Sequence, residues 1–341
     1  MSRLTVGTDC SGVGTPVMAL LGLGVNCHHV FASEICPIAK ATLAANVPAD
    51  VIYSDIYDRP LVAPLVVDLY IAGFPCQPFS VAGLRQGFEA ADHNGRLFFR
   101  IREYIRRTHP KAFILENVSG LLSMDDGNCL LVILQSLQAL EVYNVWFQEL
   151  NTKDHGVPQN RPRVFFVGIR KDVDSGSFRF PDPLGATPSI EPFLDPRSRR
   201  PCFADLPPKE SITARLNVNL LLRAIGDQGH DPFNESWILD CDSSTSRAKG
   251  LYNMSPCLTR SRAKGHWISS RGRRMRVSEM LRLQGWFGSF TVVSTDLQLG
   301  QLLGNAMSIN VLQRLYCSLL PAIGWCKLGQ LQDPWPGCHS E

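Results

Sequence analysis

Val66-Val67-Asp68-Leu69-Tyr70-Ile71-Ala72-Gly73-Phe74-Pro75-Cys76-Gln77-Pro78-Phe79-Ser80 is an apolar run that ends in a cysteine framed by two prolines. Residues 66–72 are apolar almost throughout, the pattern of a strand covered on both faces rather than one with a wet side. Each proline fixes its own φ and pushes the residue before it toward an extended conformation. The loop leaving the strand therefore holds its thiol out of the core and aimed at something. A cysteine is more commonly an inert, buried thiol. The Pro-Cys-Gln-Pro frame, with Gln77 and Ser80 beside it, points instead to a nucleophile, which attacks as the thiolate or as it loses its proton.

Outward from this run, residues 4–7, 28–32, 112–115, 145–150 and 164–169 also read as strands. Helical spacing appears at 16–23, 35–45, 96–107 and 129–139. Strands alternating with helices predict an α/β fold with a doubly wound sheet. The character changes after Arg179. Residues 180–208 hold eight prolines, which excludes regular helix or central strand there. Residues 211–225 read as a helix, 227–246 as loop-rich, and helical pattern returns at 278–283 and 308–320. If the last helix packs back on the first domain, the irregular region is an insertion. The expected division is a catalytic domain over 1–179, completed by about 296–330, a smaller domain and hinge over 180–295, and a tail over 331–341.

The chain has 341 residues, 45% hydrophobic and 19% charged, enough for one large or two smaller well-cored domains. No apolar stretch reaches the roughly 20 residues of a membrane span. Met1-Ser2-Arg3-Leu4 runs directly into a strand-like segment, so no secretory leader is expected. Eleven cysteines, an odd number with no Cys-x-x-Cys spacing, read as buried free thiols in a reducing compartment and imply no metal. Net charge is only +3, but between residues 247 and 282 ten Lys and Arg stand against one acid, Glu279. That stripe carries +9 and leaves −6 for the remainder, a distribution suited to a polyanion docking on one face. Without nearby acids in sequence it reads as phosphate-contacting rather than as a solvated charged surface. Ser-Arg-Ala-Lys-Gly occurs twice, at 246–250 and 261–265, as two similar phosphate-facing turns or a local duplication.

Three further segments carry chemistry. Val6-Gly7-Thr8-Asp9-Cys10-Ser11-Gly12-Val13-Gly14 joins a strand to a helix, and its small residues let the backbone approach a ligand. Glu34 ends the second strand, where a carboxylate accepts from ribose hydroxyls, and Asp55-Ile56 is placed to meet an adenine amino group. Each acid alone is ordinarily a surface residue; the ordered set after successive strands is not. Glu116-Asn117-Val118 follows the strand 112–115, at the strand end where open α/β sheets bind ligands. Arg161 and Arg163 in Gln159-Asn160-Arg161-Pro162-Arg163 offer forks of donors for a base carbonyl or a phosphate, where a surface salt bridge is the plainer alternative.

Taken in order, these segments resemble the DNA cytosine-5 methyltransferases over residues 4 to about 320. Residues 9–14 look like the cofactor loop, 73–80 the nucleophile loop, 116–118 the glutamate motif and 159–163 the arginine motif. Ser255-Pro256-Cys257-Leu258-Thr259-Arg260 resembles the segment that organises target recognition, and 301–310, with Gly304-Asn305-Ala306, the last motif. The resemblance implies a Rossmann-like S-adenosylmethionine-dependent fold with a small inserted target-recognition domain. It implies that Cys76 adds to carbon-6 of a flipped-out cytosine, that Glu116 bonds the ring, and that Arg163, with Arg161 nearby, supports the base. It implies S-adenosylmethionine contacts from Asp9, Cys10, Ser11, Gly12, Gly14, Glu34, Ile35, Asp55, Ile56, Gly73, Pro75, Asn305 and Ser308, with S-adenosylhomocysteine as product. Double-stranded DNA is the implied partner, met by Ser80, Arg247, Lys249, Thr259, Arg260, Arg262, Lys264, Arg271, Arg273 and Arg274. The short recognition region implies a short target site, and the family's small members imply a monomer, in a nucleus or a cytoplasm according to source.

The chain departs from the family at Cys10, where an aromatic residue usually stacks on adenine, at Ile35, and at Thr15-Pro16 in place of a later glycine. A transfer-RNA methyltransferase of the same fold is one alternative, although that subfamily tends to carry threonine at the position of Ser80. A catalytically silent DNA binder is another, set against the presence of Cys76, Glu116, Arg161, Arg163 and Asn305. A nicotinamide dehydrogenase would give the Pro-Cys-Gln-Pro segment no task.

Overall fold

The computed structural model describes residues 3–75 and 93–335. These fall into two compact units: residues up to Leu150, Pro162–Asp182 and Val311–Pro334 in one, and Asn151–Arg161, Pro183–Asn310 and Trp335 in the other.

The first unit is built on a seven-stranded sheet. Its strands are β1 (Leu4–Asp9), β2 (Cys27–Ser33), β3 (Val51–Tyr53), β4 (Leu69–Gly73), β5 (Ala112–Val118), β6 (Tyr143–Asn151) and β8 (Pro162–Arg170), in the order β3-β2-β1-β4-β5-β8-β6. β3, β2, β1, β4 and β5 pair in parallel and β8 runs antiparallel to β5. Helices Thr15–Gly22, Pro37–Asn46 and His93–Thr108 lie between successive parallel strands, the crossover that parallel pairing requires. β4 and β5 are buried along nearly their whole length, which is why they read as unbroken apolar runs. Phe31, Tyr70, Tyr104, Phe98 and Phe113 form the centre of the core. All six strands expected in this region exist; β3, only three residues long, was too short for a periodicity to register. The closing helix, Ile309–Ala322, contributes to this unit from Val311 onward, where the Tyr316 hydroxyl donates to the Pro16 carbonyl at 3.1 Å.

The second unit has a four-stranded sheet in the order β10-β9-β12-β13, from β9 (Trp237–Asp240), β10 (Lys249–Tyr252), β12 (Trp267–Ile268) and β13 (Arg273–Arg274). Two-residue strands β7 (Gln159–Asn160) and β11 (Ser255–Pro256) pair in parallel. Helices Ile212–Asp227, Val277–Leu283 and Asp296–Asn305 complete it. Among its first prolines the sole regular element is a single turn, Glu191–Phe193. None of this unit's short strands was expected, β9 falling inside a stretch read as loop-rich, nor was the helix Asp296–Asn305. That helix has a clear start, a Thr295–Gln298 capping box. Its body carries Gly300 and Gly304, which read as breakers. They are needed for contact: a Cβ at Gly300 would lie 2.0 Å from the Ala263 carbonyl oxygen, and one at Gly304 2.2 Å from the Thr259 carbonyl carbon.

Nine cysteines lie among the described residues, all as free thiols. The expectation that they are buried is corrected: Cys129 and Cys241 are, Cys202 is exposed, and the others are half-buried.

Candidate active site

Glu116 and Arg163, expected to act on the base, meet where β4 and β5 end. Gly73 is in register with Glu116, and Val118 with Arg163 on the antiparallel neighbour. The Glu116 carboxylate lies 3.1 Å from Arg163 Nε, with 11% and 14% of the two side chains exposed. Asn117 is buried, and its Nδ2 donates to the Phe74 carbonyl at 3.1 Å, pinning the backbone where it leaves β4. A carboxyl and a guanidinium, nearly shielded from water, thus face the start of the proline-framed loop. Pro75 is exposed. Cys76, Gln77 and Ser80 lie outside the described residues.

Arg161 is engaged by backbone carbonyls. It is 1% exposed, and its guanidinium donates to the carbonyls of Leu258 at 2.6 Å, Ala306 at 2.6 Å and Gly304 at 3.2 Å. Gln159 works beside it, donating to the Leu283 carbonyl at 2.7 Å and accepting from the Leu258 amide at 2.9 Å. The pair is a clip inside the second unit, which gives Arg161 a structural task beside the base support expected of it. Spacing alone could not separate the two arginines, because the chain changes unit between Arg161 and Pro162.

The loop after β1 is stitched to the end of β2. Ser11 donates through its amide and its hydroxyl to the Ser33 carbonyl, at 3.0 and 3.1 Å. Cys10 and Gly12 both hold positive φ, 51° and 54°. Glu34 accepts the Gly12 amide on one oxygen at 2.7 Å and the Cys36 amide on the other at 2.9 Å. Gly14, at φ 85°, has no room for a side chain, since a Cβ would meet Val47 at 2.3 Å. Ile35, next to Glu34, is 75% exposed. Burial pushes the Cys10 thiol well above its ordinary value, and Asp9, Glu34 and Asp55 push it further, so it stays protonated. Asp55, half-buried, accepts the Tyr57 amide at 3.0 Å.

Four further expected cofactor contacts have these surroundings. The Asp9 carboxylate is buried against Arg59, Tyr70 and Ser33. Ile56 belongs to the core. Ser308 is buried in the second unit, 2.6 Å from the Thr152 hydroxyl, and Asn305 lies in that unit too, exposed at a helix end. Arg59 and Tyr70 were not foreseen; neither sits in a motif, and no pattern in the sequence marks them.

The bare basic stripe is also corrected. Arg262 pairs with Asp240, Arg271 with Glu191, Arg273 with Glu279, Arg274 with Asp242, and Arg276 and Arg282 with Asp195. All but Glu279 of these acids lie outside the basic segment, where counting along the chain could not find them. Burial works to raise the Glu191 carboxyl, but hydrogen bonds from Arg271 and Ser236 hold it at about 2. Arg247, Lys249, Arg260 and Lys264 are exposed and make no ion pair among the described residues. Thr259 is half-buried, 3.1 Å from the Ser261 hydroxyl. The repeated Ser-Arg-Ala-Lys-Gly segments begin alike, each with a single turn through its arginine (Thr245–Arg247, Arg260–Arg262). They then diverge, for Gly250 is in β10 while Gly265 turns at φ 74°.

A family model described as C-5 cytosine-specific DNA methylase matches residues 10–320. The type II methyltransferase M.HpaII of Haemophilus parainfluenzae is 33% identical over 333 residues, covering 95% of this chain and 89% of that protein. M.NgoBI of Neisseria gonorrhoeae is 32% identical, covering 86% of this chain and 87% of its own. Among solved structures, a putative DNA modification methyltransferase encoded within an E. coli prophage superposes with a TM-score of 0.65 at 19% identity, over 94% of this chain and all of that one. At that identity the likeness bears on the fold alone.

Proposed function

Because this chain belongs to the C-5 cytosine-specific DNA methylase family and is an S-adenosylmethionine-dependent DNA (cytosine-5-)-methyltransferase, we propose that Cys76 is its nucleophile and that Glu116 and Arg163 hold the target base. One observation carries this reading: Glu116, paired with Arg163, is in register with Gly73, three residues before Cys76. Three residues span at most about 11 Å, which keeps Cys76 within reach of that pair. Carbon-5 of cytosine is a poor nucleophile until a thiolate adds at carbon-6 and makes the ring enamine-like. Glu116 bonds N3 and the amino group, stabilising the charge that the addition creates. Arg163 orients Glu116 and supports the base carbonyl. The base leaves the helical stack first, at a cost of about a few kcal/mol, because neither ring face is open in a duplex. Loss of the carbon-5 proton then expels Cys76 and restores the ring.

S-adenosylmethionine, when bound, supplies the electrophilic methyl group. The residues of the first unit fit it. Each Glu34 oxygen accepts one amide and keeps capacity for a ribose hydroxyl. Gly12 has nothing within 4 Å where its side chain would be, so a ligand can approach the backbone. Ile35 offers an exposed apolar surface for adenine. Cys10, Ser11, Gly14, Asp55, Gly73 and Pro75 line the same strand ends.

The second unit is read as the target-recognition module, with Arg247, Lys249, Arg260 and Lys264 as its phosphate contacts. The target site is read as short and the working form as a monomer. No helix among the described residues is long and apolar enough to cross a membrane; free thiols support a reducing compartment.

The test is transfer of labelled methyl from S-adenosylmethionine to mixed-sequence duplex DNA, with transfer RNA and Cys76→Ala in parallel. Label on DNA that vanishes in the variant is the expected result. Label that persists in Cys76→Ala overturns the nucleophile, and label on RNA alone overturns the substrate.

A further inference from the structure

Beneath the loop after β1 lies a buried cluster that no motif contains. Arg59 is one of the largest wholly buried side chains, 1% exposed. It donates from Nη2 to Asp9 Oδ2 at 2.7 Å and from Nε to Oδ1 at 3.4 Å. The Tyr70 hydroxyl donates to Oδ2 and the Ser33 hydroxyl to Oδ1, both at 2.6 Å. The guanidinium lies 4.1 Å from the centre of the Tyr104 ring and 5.5 Å from that of Phe31, and its Nη1 has no hydrogen-bond partner among the described residues. Desolvation offsets most of what a buried ion pair gains, so stability alone is a weak reason to keep one.

Where the cluster's members sit suggests a better reason. Asp9 ends β1 and is followed by Cys10, Ser11 and Gly12. Ser33 ends β2 and is followed by Glu34 and Ile35. Arg59 shares one short segment with Asp55, and Arg100 fastens that segment's backbone, donating to the carbonyls of Ile56 at 3.4 Å, Tyr57 at 3.2 Å and Arg59 at 2.5 Å. Three separate stretches with the proposed cofactor contacts are therefore tied to a single carboxylate.

We propose that Arg59 is a positioning residue for the cofactor, docking the 55–59 segment onto Asp9 and so setting the spacing between the 10–14 loop, Glu34 and Asp55. This rests on the reading of that crevice as the S-adenosylmethionine site. Arg59 also opposes the negative field that Asp9, Glu34 and Asp55 create around Cys10.

The experiment is calorimetric titration of S-adenosylhomocysteine into the wild type, Arg59→Met, Arg59→Lys and Tyr70→Phe. Duplex-DNA affinity and melting temperature are measured on the same proteins. Arg59→Met should bind the nucleoside about tenfold more weakly, Arg59→Lys should recover part of the loss, and Tyr70→Phe should lose about threefold. DNA affinity should stay unchanged throughout. Unchanged nucleoside binding in a cooperatively melting Arg59→Met protein overturns the inference. So does a parallel fall of nucleoside and DNA affinity with stability. If Arg59→Met does not fold, Tyr70→Phe decides by the same criteria. A wild type that binds no nucleoside at all overturns the site reading, and the inference with it.

Discussion

Both units have apolar cores, but the second leans more heavily on ion pairs than the first. In the first, aromatic and aliphatic side chains fill the space around a mostly parallel sheet, with the Asp9–Arg59 pair set among them. In the second, strands of two to four residues are braced by six arginines paired to five carboxylates, one of them the wholly buried Glu279. Hydrophobic packing is indifferent to protons, whereas an arginine–carboxylate scaffold is not. The second unit should therefore be more sensitive to acid than the first, and a change in one should leave the other's role readable.

The largest effect belongs to the chemistry of the first unit. Glu116→Gln keeps the shape but presents an amide where a carboxyl should bond the ring. Turnover is expected to fall by about 10²–10⁴-fold with S-adenosylhomocysteine binding retained, as calorimetry and labelled transfer would measure. If nucleoside binding is lost as well, the separation of base and cofactor sites breaks.

Next comes packing within the second unit. Gly304→Ala forces a methyl to 2.2 Å from the Thr259 backbone and is expected to cost about 1–3 kcal/mol or more, read as a lower melting temperature. Gly288→Ala, whose nearest neighbour is 3.6 Å away, is the matched control and should change little.

Acid sharpens the comparison. Glu191 and Asp205 are both held at about 2 in the folded protein, Glu191 by Arg271 against the effect of burial and Asp205 by its hydrogen bond from Arg199, a solvated pair that contributes little. Asp195 and Asp240 are lowered too, their arginines outweighing burial. A depressed carboxyl stabilises the fold above its unfolded pKa, and that stabilisation is lost as pH falls through the folded one. The second unit should therefore loosen between about pH 4.5 and 2. The first unit has depressed carboxyls of its own: Glu103 and Asp172 lie in solvated pairs that contribute little. Asp68 is held down, against the effect of burial, by hydrogen bonds from Thr5 and Lys111, so this unit's loss in acid should be smaller rather than absent. Hydrogen exchange, corrected for intrinsic rates, should find protection at β9 and β12 failing before protection at β4 and β5; simultaneous loss would contradict the comparison.

The smallest effect is in DNA affinity. Replacing Arg247, Lys249, Arg260 or Lys264 by alanine should each reduce the slope of log affinity against log salt by about 0.9. Arg274→Gln, which breaks a pair with Asp242, should lower stability and leave the slope nearly unchanged.

These differences also explain what was legible in the sequence. The parallel strands announced themselves because a strand buried on both faces is apolar without interruption, as in residues 69–72. Glu116 could be placed because motif and strand end coincide. The second unit hid because its stabilising pairs join residues far apart, Arg271 to Glu191 and Arg276 to Asp195, which no local count of charge detects. The structural task of Arg161 was hidden for a related reason: its partners at Leu258, Gly304 and Ala306 lie about a hundred residues or more away. Arg59 gave no signal at all, since a buried arginine outside any motif looks like every other arginine.

The most direct test of the central claim uses duplex DNA with 5-fluorocytosine at the target base. Fluorine at carbon-5 blocks loss of the proton that would expel the thiol, so an enzyme acting through Cys76 should stay attached after transfer. The expected result is a denaturant-resistant protein–DNA adduct that requires S-adenosylmethionine, is absent in Cys76→Ala, and yields a modified peptide containing Cys76. An adduct that survives in Cys76→Ala, or full methylation of ordinary cytosine with no trapping of the fluorinated base, would contradict the account.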